Sequence, residues 1–558
     1  MSFYVVYWKR HSHIAPVLAV FAVSAYFVVL YGILFHGTEY GMNGHWGDNG
    51  NRLALICKMM AYNSFFQDWY LKDLPSFYPP LWFAMMALYA KLLGIEAYQT
   101  IKWGYLFVFL CYPWLLYFSW RRLVSPVAAA AVVIATLFFA HKYLDWIYYE
   151  HMTAALFIPW WLYYFNGVSS HDPASRRGWK HYLVGAVGGG LLFMVFYYWF
   201  FVALVVFPVT LIACFLEERS ILQLAREIKH KIILMASVAL VSSVYWLPLL
   251  LSICRRGTDS AQTQWFGLRH ANLGGQPISL ETVLICLGVF FAFYLRRKLG
   301  LGKLPYLFLG GLLLILLDRL MNLNSYSLQS RKAIEFVHVF AMAPLGVGIV
   351  TIWPSVRSHM GLQRGLIGLF VLLSVAVSND HTEVYRSPFY KTAVGQRVPS
   401  RDLEVFDAVQ SHSAVFLSSH YLECCYLPYY LFIPRNNMTS HTAGRYGQRE
   451  GFLESAAEIT DPVLLAYVFA HNRYDRIDYV YLPTGQETGR FEVPLNQTTF
   501  NGRAQTKTIE FAADHTHAPE CFIKRHDRGV YEVAAPERSA AMDLLLLESN
   551  PNVVGQLQ

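Results

Sequence analysis

The sequence predicts an α-helical polytopic membrane protein of about eleven transmembrane helices with added surface helices, followed by a C-terminal extracytoplasmic α/β domain. Three observations carry this. Of the 558 residues, 55% are hydrophobic, 16% aromatic and only 15% charged, and the mean hydropathy is +0.33; a soluble chain carries roughly a quarter charged residues. The apolar runs are separated by short Lys/Arg clusters, as the positive-inside rule produces. After Asn379 the composition turns polar and mixed in charge, with short alternating stretches. The net charge of +8 does not point to nucleic acid, because those basic residues sit between apolar runs and not on a continuous surface.

The predicted spans are 14–35, 99–120, 124–140, 149–166, 181–198, 200–216, 231–253, 279–295, 304–320, 333–352 and 362–378. Each approaches the ~20 residues that cross a ~30 Å hydrocarbon core. The first lacks a small-residue cleavage site and reads as a retained signal anchor. The run 79–94 decides the topology. Counted as a span, it places the basic clusters at 121–122 and 176–180 outside. Read as an amphipathic helix on the outer surface, it puts these and the clusters at 9–10, 226–231, 296–303 and 357–364 inside. The second reading is adopted, with the N-terminus inside and the C-terminus outside. Residues 1–378 then form the transmembrane domain, with 36–98 as its first outer loop, and 379–558 the outer domain. Within the latter, 414–417, 477–482 and 521–533 read as strands, the last broken by a turn at 526–529.

Eight cysteines are scattered. Cys57, Cys111, Cys214, Cys254 and Cys286 fall in or beside apolar runs as small hydrophobes. Cys424 or Cys425 can bridge to Cys521 if the outer domain faces an oxidising compartment. No CxxC or Cys/His spacing suggests structural zinc.

The outer loops hold the polar chemistry. Asp48, in Gly47-Asp48-Asn49-Gly50, precedes an amphipathic run from Arg52. An aspartate there can cap a helix or act as a base, if partial burial raises its pKa within reach of a hydroxyl. Asp68, Asp73 and the Tyr78-Pro79-Pro80 turn are grouped with it in one loop, among Trp46, Trp69, Tyr70 and Trp82. In the second outer loop Tyr143, Trp146 and Tyr148 read as an interfacial aromatic belt. Glu150 and His151 stand at a span edge, where ionisable residues are costly; both a site role and a helix-end role fit them. Arg255, Arg256, Arg269, His270, Arg331 and Lys332 lie on the outer side, where the positive-inside rule does not ask for them. They can clamp a phosphate or snorkel, and Arg269 with His270 are the better phosphate candidates. Asp318 and Arg319 read as the only clear ionic pair near a span. The sequons at Asn437 and Asn496 say little.

Taken together, Gly47-Asp48-Asn49, Arg52, Asp68 and Phe77-Tyr78-Pro79-Pro80-Leu81-Trp82-Phe83 resemble the N-terminal motif of AftA-type arabinofuranosyltransferases. These are polyprenyl-phosphate-dependent enzymes of the GT-C class. Ser440-His441, Arg445-Tyr446, Arg449, Asp461-Pro462, Tyr467 and the segment 472–479 resemble that family's outer domain. Asn49 stands where the family pattern has Gln. The architecture also resembles the type IV pilin arabinosyltransferases (TfpW type).

The resemblance implies an inverting transfer of D-arabinofuranose from polyprenyl-phosphate-arabinofuranose to a hydroxyl acceptor outside the cytoplasm, at a bacterial inner (plasma) membrane. Asp48 is then the catalytic base, supported by Arg52, Asp68, Asp73, Tyr78, Glu150 and His151. Arg269, His270, Arg331 and Lys332 hold the donor phosphate, and His441, Arg445 and Arg449 bind the acceptor. That acceptor is Ser/Thr of type IV pilin or, alternatively, a cell-wall galactan or other polysaccharide. A lipid monophosphate leaving group does not require a metal, although a divalent cation near the acidic loop is compatible with the residues. A flippase of a lipid-linked sugar is the rival class; it calls for ionisable residues within the spans and paired repeats.

Overall fold

A computed structural model describes residues 14–39, 48–62, 65–140, 144–167, 178–218, 220–258, 280–298, 301–322, 330–357, 361, 409, 413–418, 429–434, 441–482, 492–498, 504–527, 529–539, 542, 546 and 557. Among these, helices occupy ten of the eleven predicted span positions. They are α1 (Ile14–Phe35), α4 (Thr100–Trp120), α5 (Pro126–Phe139), α6 (Leu144–Trp160), α7 (Trp179–Val195), α8 (Tyr198–Glu218), α9 (Ile221–Arg256), α10 (Leu280–Lys298), α11 (Leu304–Asn322) and α12 (Ser330–Arg357). The eleventh, 362–378, lies outside the described residues, as does the expected domain boundary at 378/379. By length and composition, five of the described helical stretches can cross a membrane: Ile14–Phe35, Ala97–Trp120, Leu224–Arg256, Leu304–Met321 and Lys332–Val356.

Two more helices, α2 (Asp48–Tyr62) and α3 (Leu81–Leu93), belong to the segment 36–98 that the sequence reading takes as the first outer loop. Pro79 and Pro80 set the start of α3, since proline lacks the N–H that a helix entrance leaves unpaired. The helix ends at Gly94, whose φ of 64° is left-handed. Its 13 residues amount to roughly 20 Å at 1.5 Å per residue, short of the ~30 Å core. Helix α5 is shorter than its predicted span because Ser125 caps it, accepting from the Ala128 N–H at 3.3 Å. Helix α9 is longer, because the basic stretch before residue 231 continues it.

Helix α12 packs against α5, α6, α8, α10 and α11. Small residues bring it close to its neighbours. A Cβ at Gly288 of α10 would collide with the Ala341 carbonyl oxygen, and one at Gly346 of α12 would stand 2.7 Å from the Ala131 carbonyl. Such contacts suit helices that associate by packing rather than by hydrophobic exclusion.

The C-terminal portion is α/β. A five-stranded sheet runs β2 (Tyr430–Leu431), β1 (Val415–Ser418), β3 (Tyr479–Tyr481), β7 (Val530–Val533), β6 (Phe522–His526). Strand β1 is parallel to both neighbours, and β7 is antiparallel to β3 and β6. Helices α13 (Tyr446–Ala457) and α14 (Pro462–His471) lie on the crossover between β1 and β3, as parallel pairing requires. Strands β4 (Glu492–Thr498) and β5 (Ala504–Glu510) form a separate hairpin. The predicted turn at 526–529 is there: Gly529 has φ 85°, and a Cβ on it would collide with the Leu482 carbonyl oxygen.

Strand periodicity divides the sheet between two cores. Val415 and Leu417 pack with Phe452, Leu465 and Phe469 of α13 and α14. Phe416, Tyr479 and Val530 join the apolar cluster that holds Trp69 and Tyr70 of the outer loop and the membrane helices. Alternate side chains leave opposite faces of a strand, so one face serves each core. Backbone and side-chain bonds tie the same surfaces: the Leu431 N–H donates to the Tyr70 carbonyl at 2.7 Å, and the Tyr430 hydroxyl donates to Gln67.

Arg449 secures the junction from the C-terminal side. It is 2% exposed; its Nε donates to Gly444 O at 2.9 Å, one terminal nitrogen to Phe432 O at 2.7 Å, and the other pairs with Asp475. Burial lowers the Arg449 pKa and raises that of Asp475, each opposed by the other's charge. Removing one member of a buried pair strands the other. Arg449→Ala should therefore destabilise the C-terminal portion by about 3–5 kcal/mol, seen as a lower thermal midpoint of purified protein. The double replacement Arg449→Met with Asp475→Leu should cost clearly less, because no charge is left behind.

Candidate functional site

The N-terminal parts of helices α6 and α12 meet beside the loop that carries Tyr78. Glu150 and His151 come from α6, Lys332 and Glu335 from α12, and Tyr78 from the turn before α3. Lys332 Nζ is in ion-pair contact with Glu150 Oε2 and lies 3.2 Å from Glu335 Oε2. His151 Nε2 stands 3.5 Å from that same Glu335 oxygen. The other Glu150 oxygen, Oε1, accepts from the Tyr78 hydroxyl at 2.8 Å and faces the Tyr149 hydroxyl at 3.2 Å. Glu150, His151 and Glu335 are all buried.

A polar support keeps this group in register. The Trp199 indole donates to the Glu150 carbonyl and to Thr153 Oγ1, both at 3.0 Å. Tyr149 is stacked on Trp82 with centroids 6.1 Å apart, and the Arg52 guanidinium lies 5.3 Å from the centre of the Tyr149 ring. Lys332 also lies over the Phe196 ring at 5.8 Å. Burial first, and then the neighbouring Glu150 carboxylate, hold the Tyr78 phenol pKa well above its ordinary value. Tyr78 is therefore a hydrogen-bond donor at neutral pH.

Four of the sequence candidates, Tyr78, Glu150, His151 and Lys332, thus meet in one cluster, with Arg52 beside it. Asp48 is the first residue of α2, one helical turn before Arg52; its side chain lies outside the described part of the structure. Arg331 is placed in the first turn of α12, with its side chain likewise outside, and Arg269 and His270 lie outside the described residues. Asp68 is buried and serves the backbone of its own loop. Its Oδ2 accepts the Tyr70 and Leu71 N–H groups at 3.1 and 3.0 Å, closing the turn. Asp73 adopts φ 58°, and its carbonyl accepts from Arg256 at 3.5 Å.

The three acceptor candidates sit at the junction of the two portions. His441 Nε2 donates to Pro75 O at 3.0 Å while its Nδ1 accepts the Ala443 N–H at 2.9 Å. Arg445, at φ 56°, donates from Nε to Arg256 O at 3.1 Å. Arg449 is committed to Gly444, Phe432 and Asp475 as described above.

Sequence reasoning missed Glu335, Tyr149, Trp199 and Lys58. Glu335 carried a signal, an acidic residue three positions after Lys332 in an otherwise apolar run. It also corrects one expectation: Asp318 and Arg319 are not the only ionic grouping near a span, since Glu150, Lys332 and Glu335 form another. Lys58 is fully buried; it donates to Trp69 O and lies 4.9 Å from the Tyr430 ring centre, bracing α2 against the sheet. Cys521 is buried and outside any disulfide among the described residues, and Cys424 and Cys425 lie outside them. Among the described residues no group of three or more His, Cys, Asp or Glu can hold a metal ion.

Residues 1–286 match the family model described as arabinofuranosyltransferase N terminal. No curated protein matches the chain. Among solved structures it is similar to the Archaeoglobus fulgidus oligosaccharyltransferase tethered to an acceptor peptide, at 11% identity over 90% of this chain and 74% of that one, with a TM-score of 0.44. It is similar to the arabinofuranosyltransferase AftD from mycobacteria at 15% identity, over 83% of this chain and 36% of that one, with a TM-score of 0.44. Similarity to ArnT from Cupriavidus metallidurans bound to undecaprenyl phosphate is at 13% identity, over 94% and 98% of the two chains, with a TM-score of 0.43.

The geometry of His441 makes the junction sensitive to pH. Burial lowers its pKa from the ordinary 6.5, the Arg256 charge adds to this, and Asp68 and the Pro75 carbonyl oppose it. The folded chain then binds fewer protons here than the unfolded one, so stability rises with pH. This contribution is complete above about pH 6.5, the unfolded value, and is lost as pH falls through the lower folded one. Thermal midpoints measured between about pH 8 and pH 5 should fall on the acid side, and His441→Asn should flatten that part of the curve.

Proposed function

Because the chain belongs to the arabinofuranosyltransferase family through its N-terminal half, we propose that it transfers D-arabinofuranose from polyprenyl-phosphate-arabinofuranose to an acceptor hydroxyl on the outer face of a bacterial inner membrane. The observation that carries this reading is the Tyr78–Glu150–Lys332–Glu335–His151 cluster, with its two carboxylates and its histidine buried, set where the outer loop meets α6 and α12. An ammonium at that depth fits a donor phosphate held at headgroup level, with its prenyl chain in lipid.

In this reading Asp48 is the base. It takes the proton of the acceptor hydroxyl, whose oxygen attacks the anomeric carbon as the bond to the phosphate oxygen breaks. The configuration inverts, and the polyprenyl phosphate leaves with an added negative charge. Lys332, with Arg269, His270 and Arg331, stabilises that charge as it develops. Positive charge builds on the sugar ring in an oxocarbenium-like transition state, and the Glu150 carboxylate offsets it. Arg52 and Tyr78 orient the site, with Tyr78 as a neutral donor. The acceptor is Ser/Thr of type IV pilin, approaching past the junction that His441, Arg445 and Arg449 build. Residues 1–378 act as the catalytic domain and 379–558 as the outer domain that presents the acceptor.

Purified protein given a short-chain polyprenyl-phosphate donor carrying radiolabelled arabinofuranose should label pilin and not oligogalactan. Asp48→Asn should retain donor binding and lose about 10²–10⁴-fold in rate, the usual worth of a positioned base. Label on galactan alone would move the acceptor to a cell-wall polysaccharide. Full activity of Asp48→Asn would remove Asp48 from the role of base.

A further inference from the structure

The cluster's lysine is already engaged by carboxylates. Two carboxylates, from α6 and α12, share the single Lys332 ammonium. Arg52 lies over the Tyr149 ring, and His151 Nε2 stands near Glu335. A phosphate brought to Lys332 therefore meets a site already filled by anions. Like charges at such separations repel strongly in a medium of low dielectric. For the phosphate to bind, one carboxylate has to give way.

We infer that Glu150 is an internal competitor for Lys332: it occupies the ammonium in the empty enzyme and is displaced when a lipid phosphate binds. The geometry singles it out over Glu335. Glu335 stands three residues after Lys332 on the same helix and moves with it. Glu150 belongs to a different helix, 182 residues away in sequence. Its Oε1 already has the Tyr78 hydroxyl at 2.8 Å and the Tyr149 hydroxyl at 3.2 Å. Losing Lys332 would leave Oε2 to be rehoused but would not strip the carboxylate of partners, which is the condition for an inexpensive displacement. The two phenols thus serve as a second berth for the carboxylate.

The same exchange opposes donor and product alike, but to different degrees. The donor is a phosphodiester with one charge, whereas the leaving polyprenyl phosphate is a monoester with more. The monoester competes better for Lys332, and by lowering the affinity for both ligands Glu150 keeps that product from being held too tightly. Glu150 is in this sense a positioning residue that sets phosphate affinity, and the inference rests on Lys332 being the phosphate contact.

The test is the binding of a short-chain polyprenyl phosphate and of inorganic phosphate to the purified full chain, with the matching prenyl alcohol as control. Glu150→Gln should bind both phosphates roughly tenfold more tightly, the effect of relieving one modest close charge pair. Lys332→Met should weaken both, and in that background Glu150→Gln should bring no gain. If Lys332→Met loses binding but Glu150→Gln gains nothing, the competition is overturned and Lys332 stands as the phosphate contact. Unchanged binding in Lys332→Met would instead remove Lys332 from the phosphate and the inference with it. A gain for the prenyl alcohol too would overturn it, since that ligand carries no charge. Should Glu150→Gln fail to fold, Glu150→Asp carries the same test: the shorter side chain reaches Lys332 less well, so a smaller gain is expected and none would overturn the inference.

Discussion

One ammonium shared by two buried carboxylates is the constraint on which the site depends. Two acidic side chains cannot remain ionised in a low-dielectric setting without a counter-charge, and Lys332 supplies it to Glu150 and Glu335 together. Because Glu150 comes from α6 and Glu335 from α12, the ion pair fixes the depth of one helix against the other. Tyr78 extends the same constraint to the outer loop through its bond to Glu150. The loop that carries Asp48 is thereby held to the helices, and apolar packing with neutral hydrogen bonds joins the C-terminal sheet to the same loop. Close approach at Gly288 and Gly346 makes the packing tight around α12.

Much of the scaffold was legible because membrane insertion and strand pairing leave periodic traces. Apolar runs separated by basic clusters gave helices at the places where α1 and α4–α12 stand, and alternation gave β1, β3 and the β6–β7 hairpin. The prolines at 79 and 80 marked the entrance of α3, because they act on the local backbone. The site was legible in pieces only. Tyr78, Glu150, His151 and Lys332 each stood out as polar residues at a membrane edge, but nothing in their spacing said that they meet.

Glu335 shows why. In sequence it is one acidic residue in an apolar helix, and its meaning comes from His151 and Lys332, which the packing of α6 on α12 supplies. Tyr149 was equally hidden, since an aromatic at a span edge reads as part of the interfacial belt until its hydroxyl is seen beside Glu150. The opposite happened at Asp68. Its acidity suggested chemistry, while its carboxylate is occupied by two backbone N–H groups of its own turn. A charged residue in a loop is ambiguous between these outcomes until the backbone around it is known.

Strand β1 gives Phe416 to one core and its flanking residues Val415 and Leu417 to the other. A shift of one residue in its pairing would exchange the occupants of both cores at once. The sheet is consequently intolerant of insertions and deletions within its strands, and the portion cannot be traded as a cassette between relatives unless the outer loop travels with it. The β4–β5 hairpin is under no such double obligation, since Val493, Leu495 and Ile509 face a single core. Evolutionary change in length should therefore accumulate in the hairpin and the loops, while the strands and the loop that seats them descend together as one heritable unit.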